Sequence, residues 1–121
     1  MPDYKEWELV FYEDETGHSP AREFLQSLDA KTLARFVWSI EQLRIHNVRA
    51  HEPLVRHLEG KLWELREESN TNIYRLLYFF FSGRKIVFLH GFQKKEQKSP
   101  RREIEIALRR LGSFMKKEGR K

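Results

Sequence analysis

KIVFLHGFQKKEQKSPRREIEIALRRL, Lys85 to Leu111, decides how this chain folds. The apolar run from Ile86 to Leu89 reads as the interior of a strand that ends at His90 and Gly91. Lys94, Lys95 and Lys98 follow. Ser99 and Pro100 then supply an N-cap and a first-turn proline for a helix whose apolar stripe is Ile104, Ala107, Leu108, Leu111, Phe114 and Met115. A strand therefore delivers a cationic turn, and a helix starts directly behind it. Residues 94–121 hold 11 of the 23 Lys and Arg but 4 of the 18 Asp and Glu, a formal +7 against −2 for everything before them. A basic element beside a sheet end suits a polyanion as partner, although a basic helix is also often just a solvated face.

Upstream of this segment, Ile73 to Phe81 is the most β-prone run and is apolar on both faces, which predicts a central strand covered on both sides. Ser82-Gly83 is a turn signal joining it to the strand that begins near Arg84. With a two-residue loop Phe81 pairs with Arg84, Arg75 lies opposite His90, and Leu77 faces Phe88. A three-residue loop puts Gly91 opposite Arg75 instead. Leu62 to Glu67 alternates, with Leu62, Glu64 and Arg66 on one face and Trp63 and Leu65 on the other, as in a half-buried strand. From Val48 to Lys61 the pattern dissolves around Pro53 and Gly60, giving a connection whose His51, Arg56, His57 and Lys61 are available to a ligand.

The first part of the chain reads as one strand and two helices. Trp7 to Tyr12 is rich in strand formers. Ser19 and Pro20 open a helix carrying Ala21, Phe24, Leu25 and Leu28 at i, i+3, i+4 and i+7. Asp29 caps a second helix, with Leu33, Phe36, Val37, Ile40 and Leu43 on one stripe, ending near Asn47. The expected fold is a small α+β domain: a compact, mostly antiparallel sheet with an N-terminal helix pair and a C-terminal helix.

Composition narrows the class further. At 121 residues the whole chain, 1–121, is expected to form one domain, and 40% hydrophobic and 13% aromatic residues are enough for a core despite 34% charged ones. The absence of cysteine removes disulfides, thiolate metal sites and cysteine nucleophiles, and suits a reducing compartment. Met1 to Lys5 has no apolar signal core, and no run of about 18 apolar residues occurs, so a cytoplasmic chain that does not enter a membrane is expected.

Arg66, Arg75, His90, Lys94 and Lys95 come from three successive strands or their ends. Arginine forks bind phosphate oxygens, and lysines add mobile charge that stabilises a developing oxyanion. RNA supplies its own nucleophile, the 2′-hydroxyl, so strand cleavage needs only a base and an acid. His90 and a lysine depressed by its cationic neighbours are the candidates. Each residue also has a purely structural use. Arg66 can pair with Glu64 or Glu67, His90 can simply end a strand, and Tyr74, Tyr78, Phe79, Phe80 and Phe81 alternate as core residues do. No glycine-rich phosphate loop, serine elbow or metal-ligand spacing is present, so neither a cofactor nor a metal is expected.

WELR at 63–66, YRLLY at 74–78 and FLHGFQKKEQKSPRREIEIALRR at 88–110, in that order, together with SPAREFLQSL and PLVRHLEGKLWELR, resemble the HigB-like, phage-derived branch of the RelE toxin superfamily. The resemblance runs from about Trp7 to Leu111. It implies a RelE-like fold and a toxin of a type II toxin–antitoxin pair, a metal-independent endoribonuclease that cuts mRNA in the ribosomal A site. The expected partners are mRNA, the ribosome, and an antitoxin with a helix-turn-helix domain encoded beside the toxin.

By the same resemblance Arg75 matches the arginine that contacts the scissile phosphate, Lys94 and Lys95 match the basic pair after the next strand, and Arg66 matches the arginine ending the strand before. Lys98, Arg101 and Arg102 are the expected RNA contacts. Glu64 stands where some members carry lysine, and Pro100-Arg101 where some place a catalytic tyrosine. The acid and base therefore stay open among His90, Lys94 and Lys98. A non-catalytic RNA- or protein-binding module on the same fold is the alternative. Membrane-surface binding by the last helix fits less well, because Glu103 and Glu105 interrupt its basic face.

Overall fold

The computed structural model describes residues 6–46, 55–69, 71–94 and 99–119. Its elements are β1 (Glu8–Phe11), α1 (Pro20–Gln26), α2 (Ala30–His46), β2 (Val55–Glu59), β3 (Leu62–Ser69), β4 (Asn72–Phe81), β5 (Lys85–Lys94) and α3 (Arg101–Gly119). This is the expected α+β architecture. The five strands lie in the order β1-β5-β4-β3-β2, all antiparallel except β1, which runs parallel to β5. Among the described residues no helix is long and apolar enough to cross a membrane.

Local chemistry accounts for the helix starts. Ser19 Oγ accepts the Arg22 N–H at 3.3 Å with Pro20 behind it, and Asp29 Oδ1 accepts the Thr32 N–H at 2.8 Å. α1 and α2 cover one face of the sheet with Ala21, Leu25, Phe36, Ile40 and Leu43 against Leu65, Leu76, Tyr78 and Phe88. α3 covers the other with Ala107 and Phe114 against Leu62, Leu77, Phe79, Val87 and Leu89. β4 is the middle strand and is buried on both faces, as its composition requires. β3 is more deeply buried than its alternation implies, since Leu62, Glu64, Leu65 and Glu67 are all inside.

Three expectations need correction. Val55–Glu59, assigned to a connection, is a short strand beside β3, where Arg56 and His57 point to solvent and blunt the sheet's edge. Val37, placed on the buried stripe of α2, is 52% exposed. The β4–β5 hairpin follows neither simple register. Phe81 pairs with Lys85 across Ser82-Gly83-Arg84, a three-residue loop in which Gly83 and Arg84 take φ values of 81° and 58°. A bulge then inserts Leu89 between the pairs Tyr78–Phe88 and Leu77–His90, so that Arg75 faces Phe92.

That one extra residue reverses which side chains point where. Before it, Val87 faces α3 and Phe88 faces α1; after it, Phe92 joins the α3 side and Gly91 turns toward α1. Phe24 fills the space over Gly91. A Cβ there would lie 2.8 Å from Phe24 Cε2 and nearer still to Cγ and Cδ2, an overlap the ring cannot avoid by moving its tip. Gly91→Ala is therefore expected to lose about 1–3 kcal/mol of stability. Urea denaturation checks this, and Phe24→Ala in the same chain should recover part of the loss due to overlap.

Candidate functional site

The bulge brings three rows of side chains onto the α3 face at one end of the sheet. Reading from β3 through β4 to β5, they are Glu64, Leu77 and His90; then Arg66, Arg75 and Phe92; then Glu68, Ile73 and Lys94. Arg66 and Arg75 are direct cross-strand partners, a placement that costs stability unless negative charge is supplied nearby. Glu64 supplies part of it from within: its Oε1 lies 3.6 Å from Arg75 Nε, and both side chains are 0% exposed. Glu68, exposed, lies 3.6 Å from Arg66 Nη2. The Arg75 guanidinium also sits 6.0 Å from the centre of the Phe92 ring.

The start of α3 closes over this cluster. Ser99, expected to cap the helix, donates its hydroxyl to Glu64 Oε1, while the Pro100 carbonyl accepts from the N–H groups of Glu103 and Ile104. Glu64 Oε2 accepts no hydrogen bond from the described residues. Lys94 is exposed at the end of β5, and Arg66 keeps 18% of its side chain exposed. Arg66, Arg75 and Lys94 thus share one face at one end of the sheet, with Arg75 beneath the surface and the other two at it. Lys95 and Lys98 lie outside the described residues, as does His51. Arg101 is engaged elsewhere, pairing with Glu59 on β2 and with Glu105 one turn on, and Arg102 is exposed.

His90 is placed on the same face but is fully engaged. Its Nε2 lies 2.6 Å from Glu103 Oε1, and its Nδ1 lies 2.9 Å from Arg110 Nη1, which also donates to the Leu89 carbonyl. Arginine only donates, so Nδ1 accepts and Nε2 carries the proton: a neutral imidazole of one tautomer. Burial pushes its pKa below the ordinary 6.5, the bond to Glu103 opposes that, and Arg110 adds to it. The folded state then resists a proton that the unfolded chain accepts. Stability is present above pH 6.5 and is lost as pH falls below it toward the depressed value. His90→Gln should flatten that acid-side slope in melting curves measured from pH 5 to 7.5.

Sequence reasoning did not single out Ser99, Phe92, Glu103 or Arg110 for these contacts. Glu64 had a signal, since it shares a strand face with Arg66. Glu103, Ala107 and Arg110 also recur at i, i+4 and i+7, which places both charges on the α3 face that meets the sheet.

The fold and this sheet end describe a small α+β protein with a cationic cluster framed by the last strand and last helix. The profile of the phage-derived Gp49-like proteins (DUF891) matches residues 23–112, and the chain belongs to that family. The family is associated with RelE/HigB-like toxins of toxin–antitoxin systems, related to RelE-type toxins that are endoribonucleases, and so implies an antitoxin partner in general. A search of curated proteins finds none that matches the chain.

Proposed function

We propose that this chain is the toxin of a type II toxin–antitoxin pair, a HigB-like endoribonuclease of one domain that acts in the cytoplasm and cuts mRNA in the ribosomal A site. The observation that carries the reading is the row register that sets Arg66, Arg75 and Lys94 on three adjacent strands and one face. The 2′-hydroxyl attacks the adjacent phosphate, the bond to the 5′-oxygen breaks, and the products are a 2′,3′-cyclic phosphate and a 5′-hydroxyl. Arg66 orients the phosphate, and Lys94 and Lys95 meet the charge that develops on it. Arg75 adds positive potential from beneath, in a setting where water screens it little. Lys98 and Arg102 hold the flanking RNA, and Arg101 adds to them by exchanging its pairing with Glu59 and Glu105 for phosphate.

Proton transfer falls to Lys94 and Lys98, because both nitrogens of His90 are taken by Glu103 and Arg110. His90 joins β5 to α3 and so positions the site. A binding module that does not cut is supported by one observation, the complete burial of Arg75 against Glu64. Induced expression separates the two. The toxin reading expects growth arrest and new 5′ ends inside translated codons of a reporter message, both absent when Arg66 and Lys94 are alanine. Normal growth and intact message with soluble protein would overturn it and favour salt-sensitive binding without cleavage.

A further inference from the structure

The opposite face of the molecule carries a second apolar surface. α2 buries Phe36, Ile40 and Leu43, yet Val37, Trp38 and Ile45 are 52%, 57% and 38% exposed. At about 100° per residue, Ala34, Val37, Trp38, Glu41 and Ile45 share one outer sector of the helix, a stripe roughly 16 Å long in which Glu41, paired with Arg44, separates Ile45 from the other apolar side chains. Toward the start of α2 it meets a cleft of about 490 Å³ lined by Lys31, Ala34, Arg35, Trp38, Ser39 and Glu67. Lys31 and Arg35 stand exposed at its rim, and Arg35 is fixed there by donating to the Glu68 carbonyl. At the floor Ser39 donates to Glu67 Oε2 at 2.5 Å; burial raises the Glu67 pKa, while that bond and the nearby Arg35 charge oppose the rise.

We propose that this stripe and cleft dock the antitoxin, through an amphipathic helix of three to four turns that sets apolar side chains on Trp38, Val37 and Ile45 and carboxylates opposite Lys31 and Arg35. The identity of the partner rests on the toxin reading; the chemistry of the surface does not. An exposed tryptophan beside a concavity, with two cations at the rim, has the make-up of an interface anchor. Charge complementarity selects a partner that brings carboxylates, because the exposed charges at the cleft rim are those of Lys31 and Arg35. The surface lies across the sheet from α3, so the docked helix leaves Arg66 and Lys94 uncovered.

The test titrates the purified product of the adjoining reading frame into the wild type, Trp38→Ala, and the pair Lys31→Glu with Arg35→Glu, by calorimetry at two salt concentrations. Trp38→Ala should weaken binding about thirtyfold or more. The charge reversal should weaken it as strongly and flatten its salt dependence. Melting temperature and mRNA cleavage should stay at wild-type values in Trp38→Ala. Wild-type affinity in both variants overturns the proposal, as does absence of binding to the wild type. A loss confined to Arg66→Ala and Lys94→Ala would place the partner on the basic sheet end instead. A wild-type dimer that Trp38→Ala converts to monomer would make the occupant a second copy. Binding that depends on Trp38 in a chain that never cuts RNA would retain the docking surface and reject the ribonuclease.

Discussion

Arg75→Ala is expected to destabilise the fold by about 3–5 kcal/mol, because it leaves Glu64 charged, buried and without its guanidinium. Glu64 is 0% exposed, its Oε1 takes the Ser99 hydroxyl, and its Oε2 takes no hydrogen bond from the described residues, so truncation of Arg75 offers the carboxylate no replacement among them. Replacing both members, Arg75→Met with Glu64→Leu, should recover most of the loss, since an apolar pair of similar volume suits this environment. Urea denaturation of the three variants checks the cycle. A loss below about 1 kcal/mol in Arg75→Ala would contradict a buried ion pair of this kind. The consequence for function is practical: lost toxicity in Arg75→Ala alone does not locate the site, because the fold fails with it.

Arg66→Ala and Lys94→Ala should each slow mRNA cleavage about 100-fold, the usual cost of removing one group that meets developing negative charge. Their stabilities should move the other way or not at all. Arg66 sits directly across from Arg75, and its truncation relieves a like-charge pair, a gain of about 0.2–1 kcal/mol. Lys94 is exposed at a strand end, and its loss should cost little. Activity falling while stability holds or rises is the signature of residues kept for function at a cost to the fold. Single-turnover cleavage and thermal melting on the same preparations give both numbers.

The elements that came directly from the residues are those with local chemistry. Ser19-Pro20 and Asp29 announce their helices because a cap acts within three residues of itself, and Ile73 to Phe81 announces the middle strand because both of its faces are apolar. Val55–Glu59 was not legible, since its exposed Arg56 and His57 carry no alternation and its pairing is set by β3. The hairpin register was legible only in part. The Ser82-Gly83 signal does not say whether Arg84 joins the loop, and a run of apolar residues such as Ile86 to Leu89 hides which one is the bulge. Gly91 was the available clue, because a glycine inside a strand marks a bulge or a close approach, and here Phe24 makes that approach.

The candidate site divides in the same way. A charge in an apolar strand drew attention to Arg75, and the strand ends drew attention to Arg66 and Lys94. The burial of Arg75, the Ser99–Glu64 contact and the engagement of His90 by Glu103 and Arg110 all depend on where α3 crosses the sheet. No pattern within a single segment encodes that crossing.

The most direct measurement adds the purified protein to ribosomes translating a defined message, maps the 5′ ends by primer extension, and analyses the chemistry of the termini, with Arg66→Ala run alongside. The expected result is cuts within codons in the A site, a 2′,3′-cyclic phosphate on the upstream fragment and a 5′-hydroxyl on the downstream one, with the Arg66→Ala reaction about 100-fold slower. An intact message, or cleavage at the same rate by Arg66→Ala, would contradict it.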